Sequence, residues 1–165
     1  MAAELEKIPE SGVLRRPARV SFVRFAPQSQ DPWASKAAAE RVESLVKQGL
    51  EDVAREADDV WFVDKGLPGE ADADAFYEKL ERLKDSVQRQ AFLKKFCVQH
   101  EVTMLLFGTF SGDDVEMRLR IWGYNTKTDA VFVDHSEQSY RRDMPFMQVR
   151  RQVGLRIRAF IRAGQ

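Results

Sequence analysis

Few side chains in this chain could carry out chemistry, because its 165 residues include one cysteine and two histidines. Cys97 and His100 have the spacing of half a zinc site, and Glu101 and His135 could be imagined as further ligands. A half-site without a second cysteine pair is a weak signal, and Cys97 lies on the apolar side of a predicted helix end. A free cysteine in that position is usually packed in a core. We therefore predict no metal and no cofactor.

A second group of polar residues follows a predicted strand. Asp134 and Ser136 point to one side of it and His135 and Glu137 to the other. Proton transfer by such a pair would need a pocket and a partner within hydrogen-bond reach. Solvent-facing polarity at a strand end is the simpler interpretation.

An acidic cluster between residues 58 and 74 could attract a divalent cation. It lacks the glycine-centred loop and the terminal Glu of an EF-hand. Helix capping and a solvated loop explain most of it. The cluster consists of Asp58, Asp59, Asp64, Glu70, Asp72 and Asp74.

Motifs for covalent or phosphate chemistry are missing from the sequence. It has no Gly-x-Gly-x-x-Gly or Walker-type loop and no Gly-x-Ser-x-Gly nucleophile elbow. We predict that the protein is not an enzyme. An enzyme remains an alternative only if a concave pocket gathers His135, Asp134 or Cys97.

The C-terminal segment is rich in arginine and has no Asp or Glu after Asp143. On the predicted last helix, Arg151, Arg158 and Arg162 share a face with Leu155. This face could bind an acidic protein, a phosphate backbone or an anionic membrane surface. It could equally be a solvated face balanced by the acidic segment of the same chain. Because 26 basic residues balance 26 acidic ones, we do not expect nucleic acid as a partner.

Hydrophobic periodicity predicts the elements that position these residues. The predicted order is β-α-β-α-β-β-β-α, an α/β (α+β) fold in which helices pack on a mixed sheet of about five strands. Residues 1–18 are predicted to form an extended arm and residues 19–163 one domain. Strands are predicted at 19–26 and 60–63 and an antiparallel meander at 102–138; helices are predicted at 31–57, at 72–100 with a kink left open, and at 144–163.

Gly49 falls inside the first predicted helix, where glycine costs about 1 kcal/mol relative to alanine. Either the helix approaches a neighbouring backbone closely at this position, or the glycine is merely tolerated.

The second strand of the meander alternates between a packed face and a wet face. Val115, Met117, Leu119 and Ile121 share the packed face. Arginine and tryptophan are common anchors of protein interfaces. We therefore predict that the wet face, together with the arginine face of the last helix, contacts a partner. The predicted partner-binding residues are Arg118, Arg120, Trp122, Tyr124, Arg151, Arg158 and Arg162.

Three segments carry a family resemblance over roughly residues 19–142. They are Phe25-Ala26-Pro27 after the first strand, Leu105–Phe110 with its central glycine, and Tyr124–Thr128 in the next turn. With the order of elements, they resemble the TolB N-terminal-like and CsgG-like α/β domains, which are bacterial modules of the cell envelope and of some cytoplasmic proteins. The chain departs from that pattern in having Asp129 where the family usually has glycine.

The resemblance implies a non-enzymatic domain that acts as an adaptor or component of a larger bacterial complex. The expected partners are proteins, and a homo-oligomer is left open, as is peripheral contact with a membrane. The alternative function is a regulator that binds an anionic ligand, nucleic acid or a membrane surface through the arginine-rich last helix.

The location of the protein is predicted from what the sequence lacks. No apolar run approaches the roughly 20 residues that cross a bilayer, and the N-terminus has acidic residues and no apolar signal region. The chain as written is expected to be cytoplasmic. The periplasm or cell envelope is the alternative if a targeting segment was removed.

Overall fold

The computed structural model describes residues 17–28, 36–64, 70–112, 115–136 and 138–165, with side chains from Asp72 onward in the third range. Several predictions lie outside the described residues. They are the arm over 1–16, the helix start at Asp31, residues 65–69 of the solvated loop in the acidic segment, and the orientation of Glu137.

The described elements confirm the predicted α/β architecture of helices packed on a mixed sheet. The sheet has seven strands in the described part rather than about five, because two further short strands pair with inner strands of the sheet beside the main strand order. In chain order the elements are β1 Ala18–Phe22, β2 Ala26–Pro27, α1 Lys36–Glu56, β3 Val60–Phe62, α2 Glu70–Arg82, α3 Ser86–Gln99, β4 Met104–Gly112, β5 Glu116–Asn125, β6 Ala130–Val133, β7 Ser139–Arg141 and α4 Phe146–Gly164.

The sheet runs in the order β3-β1-β4-β5-β6. Strand β1 is parallel to both β3 and β4, whereas β4, β5 and β6 form the predicted antiparallel meander. Strand β5 is long enough for two partners on its second edge. Strand β6 pairs with Trp122–Asn125 and β7 with Glu116–Arg118, so that residues 119–121 lie between them.

Each face of the sheet has its own core. Helices α1 and α4 pack together on the first face, where their apolar stripes bury β-strand residues such as Leu106 and Ile121. Helices α2 and α3 cover part of the second face, where Phe76, Leu93 and Cys97 pack on Phe107. We call these the α1/α4 face and the α2/α3 face. Because side chains alternate along a strand, successive residues of β5 belong to different faces.

Gly49 marks the crossing of α1 and α4. A Cβ atom at Gly49 would lie 3.4 Å from the Cα of Gly154 and 2.9 Å from Cδ1 of Ile157. The interpretation of Gly49 as a site of close backbone approach is therefore confirmed.

The predicted helix over residues 72–100 is two helices. Helix α2 ends at Arg82 and α3 begins at Ser86. Between them, Asp85 has extended backbone angles, and its side chain accepts a hydrogen bond from the amide of Val87 at 2.9 Å. An aspartate that caps amide groups in this way begins a new helix. The helix is therefore interrupted within the range where the sequence allows a kink.

Candidate functional site

The predicted contact residues of β5 differ in exposure along the strand. All four point to the α2/α3 face, because the residues between them are buried against α1 and α4. Arg118 and Arg120 are exposed, Trp122 is half-buried and Tyr124 is fully buried. The structure therefore keeps an exposed surface over the first half of β5 only.

Tyr124 corrects the predicted contact surface. Helix α3 covers this end of β5, and Tyr124 packs in the same core as Leu93 and Cys97. Its hydroxyl donates to Oδ1 of Asp129 at 2.5 Å. Burial, reinforced by the Asp129 carboxylate, raises the pKa of Tyr124 above its usual range. The expectation that Tyr124 lies on a wet face is wrong.

Trp122 forms the border between the buried and the exposed part of this face. Its ring stacks on Phe107 with ring centroids 6.5 Å apart, and Phe107 in turn packs against Phe76. On the neighbouring strand, Val133 lies opposite Trp122, and Val131 lies opposite the buried Tyr124. Val131 and Val133 are 41% and 43% exposed, so the exposed face continues onto β6 as an apolar surface.

The two exposed arginines of β5 have different surroundings. Nε of Arg118 lies 3.1 Å from Oε1 of Glu116, which forms an ion pair on the same strand. Arg120 has no ion pair within the described ranges, and it lies opposite Thr109 of β4. Arg120 is therefore the guanidinium of this face that is free to bind an external carboxylate.

On helix α4, two of the three predicted contact arginines are neutralised within the chain. Arg162 forms a two-atom ion pair with Asp59, with Nη2 at 3.0 Å from Oδ1, and this hydrogen bond lowers the pKa of Asp59. Arg158 lies 3.4 Å from Glu56. The interpretation of a solvated face balanced by the acidic segment holds for these two. Arg151 is exposed and has no ion pair in the part of the chain that the structure describes.

The two halves of the predicted surface lie on opposite sides of the sheet. Helix α4 packs on the α1/α4 face, whereas Arg118 and Arg120 point to the α2/α3 face. The two sets of arginines therefore lie on different faces of the sheet and do not form one continuous surface, and their joint contact with one partner stays a prediction. The sheet layer separates them, which the alternation of one strand does not reveal.

Cys97 is fully buried in the α2/α3 core, as predicted. Burial raises the pKa of its thiol to about 12. The ring of His100 lies against Phe96, with ring centroids 4.3 Å apart. Across the described ranges, no three His, Cys, Asp or Glu side chains are grouped so that they could hold a metal ion.

A groove of about 730 Å³ separates α4 from the segment between β6 and β7. Asp134 and His135 both line it, whereas Cys97 lies in the other core. Both oxygens of Asp134 already accept hydrogen bonds, from the amide of Ser136 at 2.8 Å and from Nε of Arg156 at 2.6 Å. The expectation that Asp134 is solvent-facing strand-end polarity is wrong, since its side chain is only 11% exposed.

Arg156, whose side chain is 3% exposed, organises this region. Besides Asp134, it donates to the carbonyl oxygens of Leu119 at 2.7 Å and Ser136 at 3.3 Å, and to the hydroxyl of Tyr140 at 3.3 Å. Leu119 lies in the gap that β6 and β7 leave along β5. The Arg156 guanidinium thus bonds to β5 at a position where neither β6 nor β7 pairs with it, and it links the segment between β6 and β7 to the sheet.

The charge of Arg156 is retained despite its burial. Burial by itself lowers the pKa of the guanidinium, but the hydrogen bonds and charges of Tyr140 and Asp134 outweigh it, so that the pKa is raised. The predicted arginine face of the last helix did not include Arg156. Its position held the missing signal, because residue 156 follows Val149 and Val153 at helical spacing on the apolar stripe.

Comparisons with known proteins show little similarity. No family model matches the chain, and no curated protein matches it. One solved structure with a related arrangement is a PelC dodecamer from Paraburkholderia phytofirmans. It is 11% identical with a TM-score of 0.47, over 88% of this chain and 90% of that one. A likeness at this level carries no argument about function. No helix in the described part is long and apolar enough to cross a membrane.

Proposed function

We propose that this chain is a non-enzymatic protein-interaction domain of the TolB N-terminal-like or CsgG-like kind, and that it serves as an adaptor or component of a larger bacterial complex. Its contact surface is the exposed half of β5, formed by Arg118, Arg120 and the outer part of Trp122. The observation that carries this proposal is Arg120, an exposed guanidinium without an ion pair in the described ranges, next to a half-buried tryptophan.

The backbone under this surface is paired and closely packed. Strand β5 pairs with β4 from Met117 to Asn125, and Gly108 of β4 lies so close to Arg120 that any added Cβ would overlap the Arg120 carbonyl oxygen. A strand backbone that is already paired loses little further freedom when a partner binds. A partner with carboxylates beside an apolar patch fits this surface, because arginine and tryptophan contribute strongly at interface centres.

The groove beside α4 gives little support to an enzyme. The carboxylate of Asp134 is engaged by Arg156 and by the amide of Ser136. Cys97, the nucleophile that would be needed nearby, lies in the opposite core with its thiol held protonated by a pKa raised to about 12. The one carboxylate that lines the groove in the described ranges is therefore already engaged within the chain.

The proposal is tested by quantitative recovery of partners from a lysate of the source organism. We expect Arg120→Glu to reduce recovery of the specific partner by about tenfold or more, since charge reversal at an interface arginine costs at least about 1.4 kcal/mol. Arg151→Glu is the matched control, because it reverses an exposed arginine on the other side of the sheet. Equal recovery by the Arg120→Glu protein and the wild type contradicts the proposal.

The alternative, a regulator that binds an anionic surface through α4, has less support. Arg158 and Arg162 are paired with Glu56 and Asp59, and their partial neutralisation weakens the field of that face. Binding to anionic vesicles or nucleic acid that falls steeply with salt and is lost in Arg151→Glu favours the alternative instead.

A further inference from the structure

Strand β6 forms an edge of the described sheet, and some of its backbone N–H and C=O groups point away from the sheet. The amide of Asp134 donates to the carbonyl oxygen of Ile121 on β5 at 3.0 Å. In an antiparallel ladder, residues alternate between those that bond to the partner strand and those that point the other way. Phe132 therefore bonds toward β5, whereas the N–H and C=O groups of Val131 and Val133 point outward.

The side chains of this edge are apolar. Val131 and Val133 are exposed on the α2/α3 face, and Phe132 stacks on Phe160 of α4 with ring centroids 4.5 Å apart. The strand has the sequence Ala-Val-Phe-Val, without the lysine or proline that commonly protects an edge from pairing. An edge with outward amides and exposed valines is suited to receive another strand.

We propose that β6 pairs with β6 of a second copy of this chain, antiparallel and around a two-fold axis at Phe132. In this register Val131 of one copy lies opposite Val133 of the other. These are the residues with outward backbone groups, so every such group of both valines finds a partner. The valine side chains meet across the strands on one face. The ends bring Asp129 of one copy toward His135 of the other, so that no two carboxylates oppose each other.

Other registers fit this edge less well. A shift by one residue would place an outward-pointing residue opposite one whose amide already bonds to β5. A shift by two residues would place Val131 opposite Val131 or Val133 opposite Val133, and the other valine of each copy would then face a residue outside the partner's β6. The register centred on Phe132 is the one that pairs both valines within the two strands. The pairing goes beyond the proposed partner surface and does not depend on Arg120.

The groove beside α4 leaves room for the second copy and adds apolar area. Stable interfaces bury about 1,200–2,000 Å² in total, which a four-residue strand alone does not supply. Along the groove, α4 presents Leu155, which is 59% exposed, and the exposed small residues Ala159 and Ala163. Helix α4 can therefore contact the second copy over the same edge.

The first test is the molar mass of the protein across a dilution series, by sedimentation velocity. We expect the mass to rise with protein concentration toward twice the 19.0 kDa of one chain. Val133→Pro removes an outward N–H without a loss of bonds to β5, and Val133→Lys charges the edge; each should weaken dimerisation by about tenfold or more. Val98→Lys, at an exposed valine of α3, is the control. A monomer at all concentrations, or a Val133→Pro dimer as strong as the wild type, overturns the proposal.

The second test concerns the register. Val131→Cys and Val133→Cys proteins are oxidised separately and as a mixture; Cys97 is fully buried and stays unreacted. We expect the mixture to form disulfide-linked dimers several times faster than either protein alone. Equal rates, or a dimer that does not cross-link in the mixture, overturn the register. An Arg120→Glu protein should dimerise normally, so this result separates failure of the pairing from failure of the partner surface.

Discussion

Replacement of Arg156 by methionine tests whether one buried arginine holds the β6–β7 segment on the sheet. Methionine retains the apolar length of the side chain and removes the guanidinium. The variant loses the ion pair with Asp134 at 2.6 Å and the hydrogen bond to the Leu119 carbonyl at 2.7 Å. It leaves a carboxylate and a carbonyl oxygen without their partner in a largely buried site.

The expected loss follows from the burial of both partners. Removal of one partner from a buried ion pair costs about 3–5 kcal/mol, and an unpaired buried carbonyl costs about 1–3 kcal/mol within that loss. Because Asp134 retains 11% exposure, water can reach it, and we expect about 3 kcal/mol. Arg158→Met is the matched control on the same helix. Its ion pair with Glu56 spans 3.4 Å and is solvent-exposed, so it should cost less than about 1 kcal/mol.

The assay is equilibrium unfolding in urea, followed by circular dichroism. The double variant Arg156→Met/Asp134→Asn should be more stable than Arg156→Met alone, because it no longer buries an unpaired charge. Loss of less than about 1 kcal/mol in Arg156→Met, or a loss equal to that of Arg158→Met, would refute the assigned role.

The remaining predictions concern the two cores. Gly108→Ala should destabilise the protein by about 3 kcal/mol or more, because its Cβ would overlap the Arg120 carbonyl oxygen. Gly154→Ala should be tolerated, since its Cβ would come no closer than 3.8 Å to a neighbouring atom. Urea unfolding of the two variants tests this difference. Tyr77→Phe should cost about 1–2 kcal/mol in the same assay, because the Gly108 amide loses its 3.0 Å bond to the hydroxyl; an unchanged midpoint contradicts this. Burial raises the pKa of the Cys97 thiol to about 12, above its value of about 8.5 in the unfolded chain. The contribution of the neutral thiol to the free energy of unfolding is therefore complete below about pH 8.5 and is lost as the pH rises toward 12. The stability of Cys97→Ala should fall less steeply above about pH 9 than that of the wild type.

Local patterns were sufficient for most of the fold. The alternation of Met117, Leu119 and Ile121 identified a strand with a packed face, and the α4 stripe identified a helix that packs on the sheet. The same alternation was wrong for Val115, which precedes β5 and is 65% exposed. Gly49 could be recognised as unusual, but its partner Gly154, which is far away in sequence, became known only from the crossing of α1 and α4. The sequence allows a kink between residues 72 and 100 but does not locate the break at Asp85, because apolar residues at helical spacing continue from α2 into α3.

The candidate site could be predicted only in part, because exposure depends on what other elements cover. The alternation along β5 predicts the same exposure for Arg120 and Tyr124. Helix α3 buries Tyr124, whereas it leaves Arg120 exposed. Likewise, Arg156 and Arg158 are near neighbours on one helix. The packing of α4 buries Arg156 among several hydrogen-bond acceptors, whereas it leaves Arg158 in a surface ion pair.

The sequence by itself determined the elements, their order and the alternation that separates core from polar positions, because these depend on residues close together in the chain. Tertiary structure decided which polar positions remain available. It set Arg162 against Asp59 and Arg156 against Asp134, and it placed α4 and the arginines of β5 on opposite sides of the sheet. Such pairings join residues distant in sequence, and only the folded chain brings their charges together.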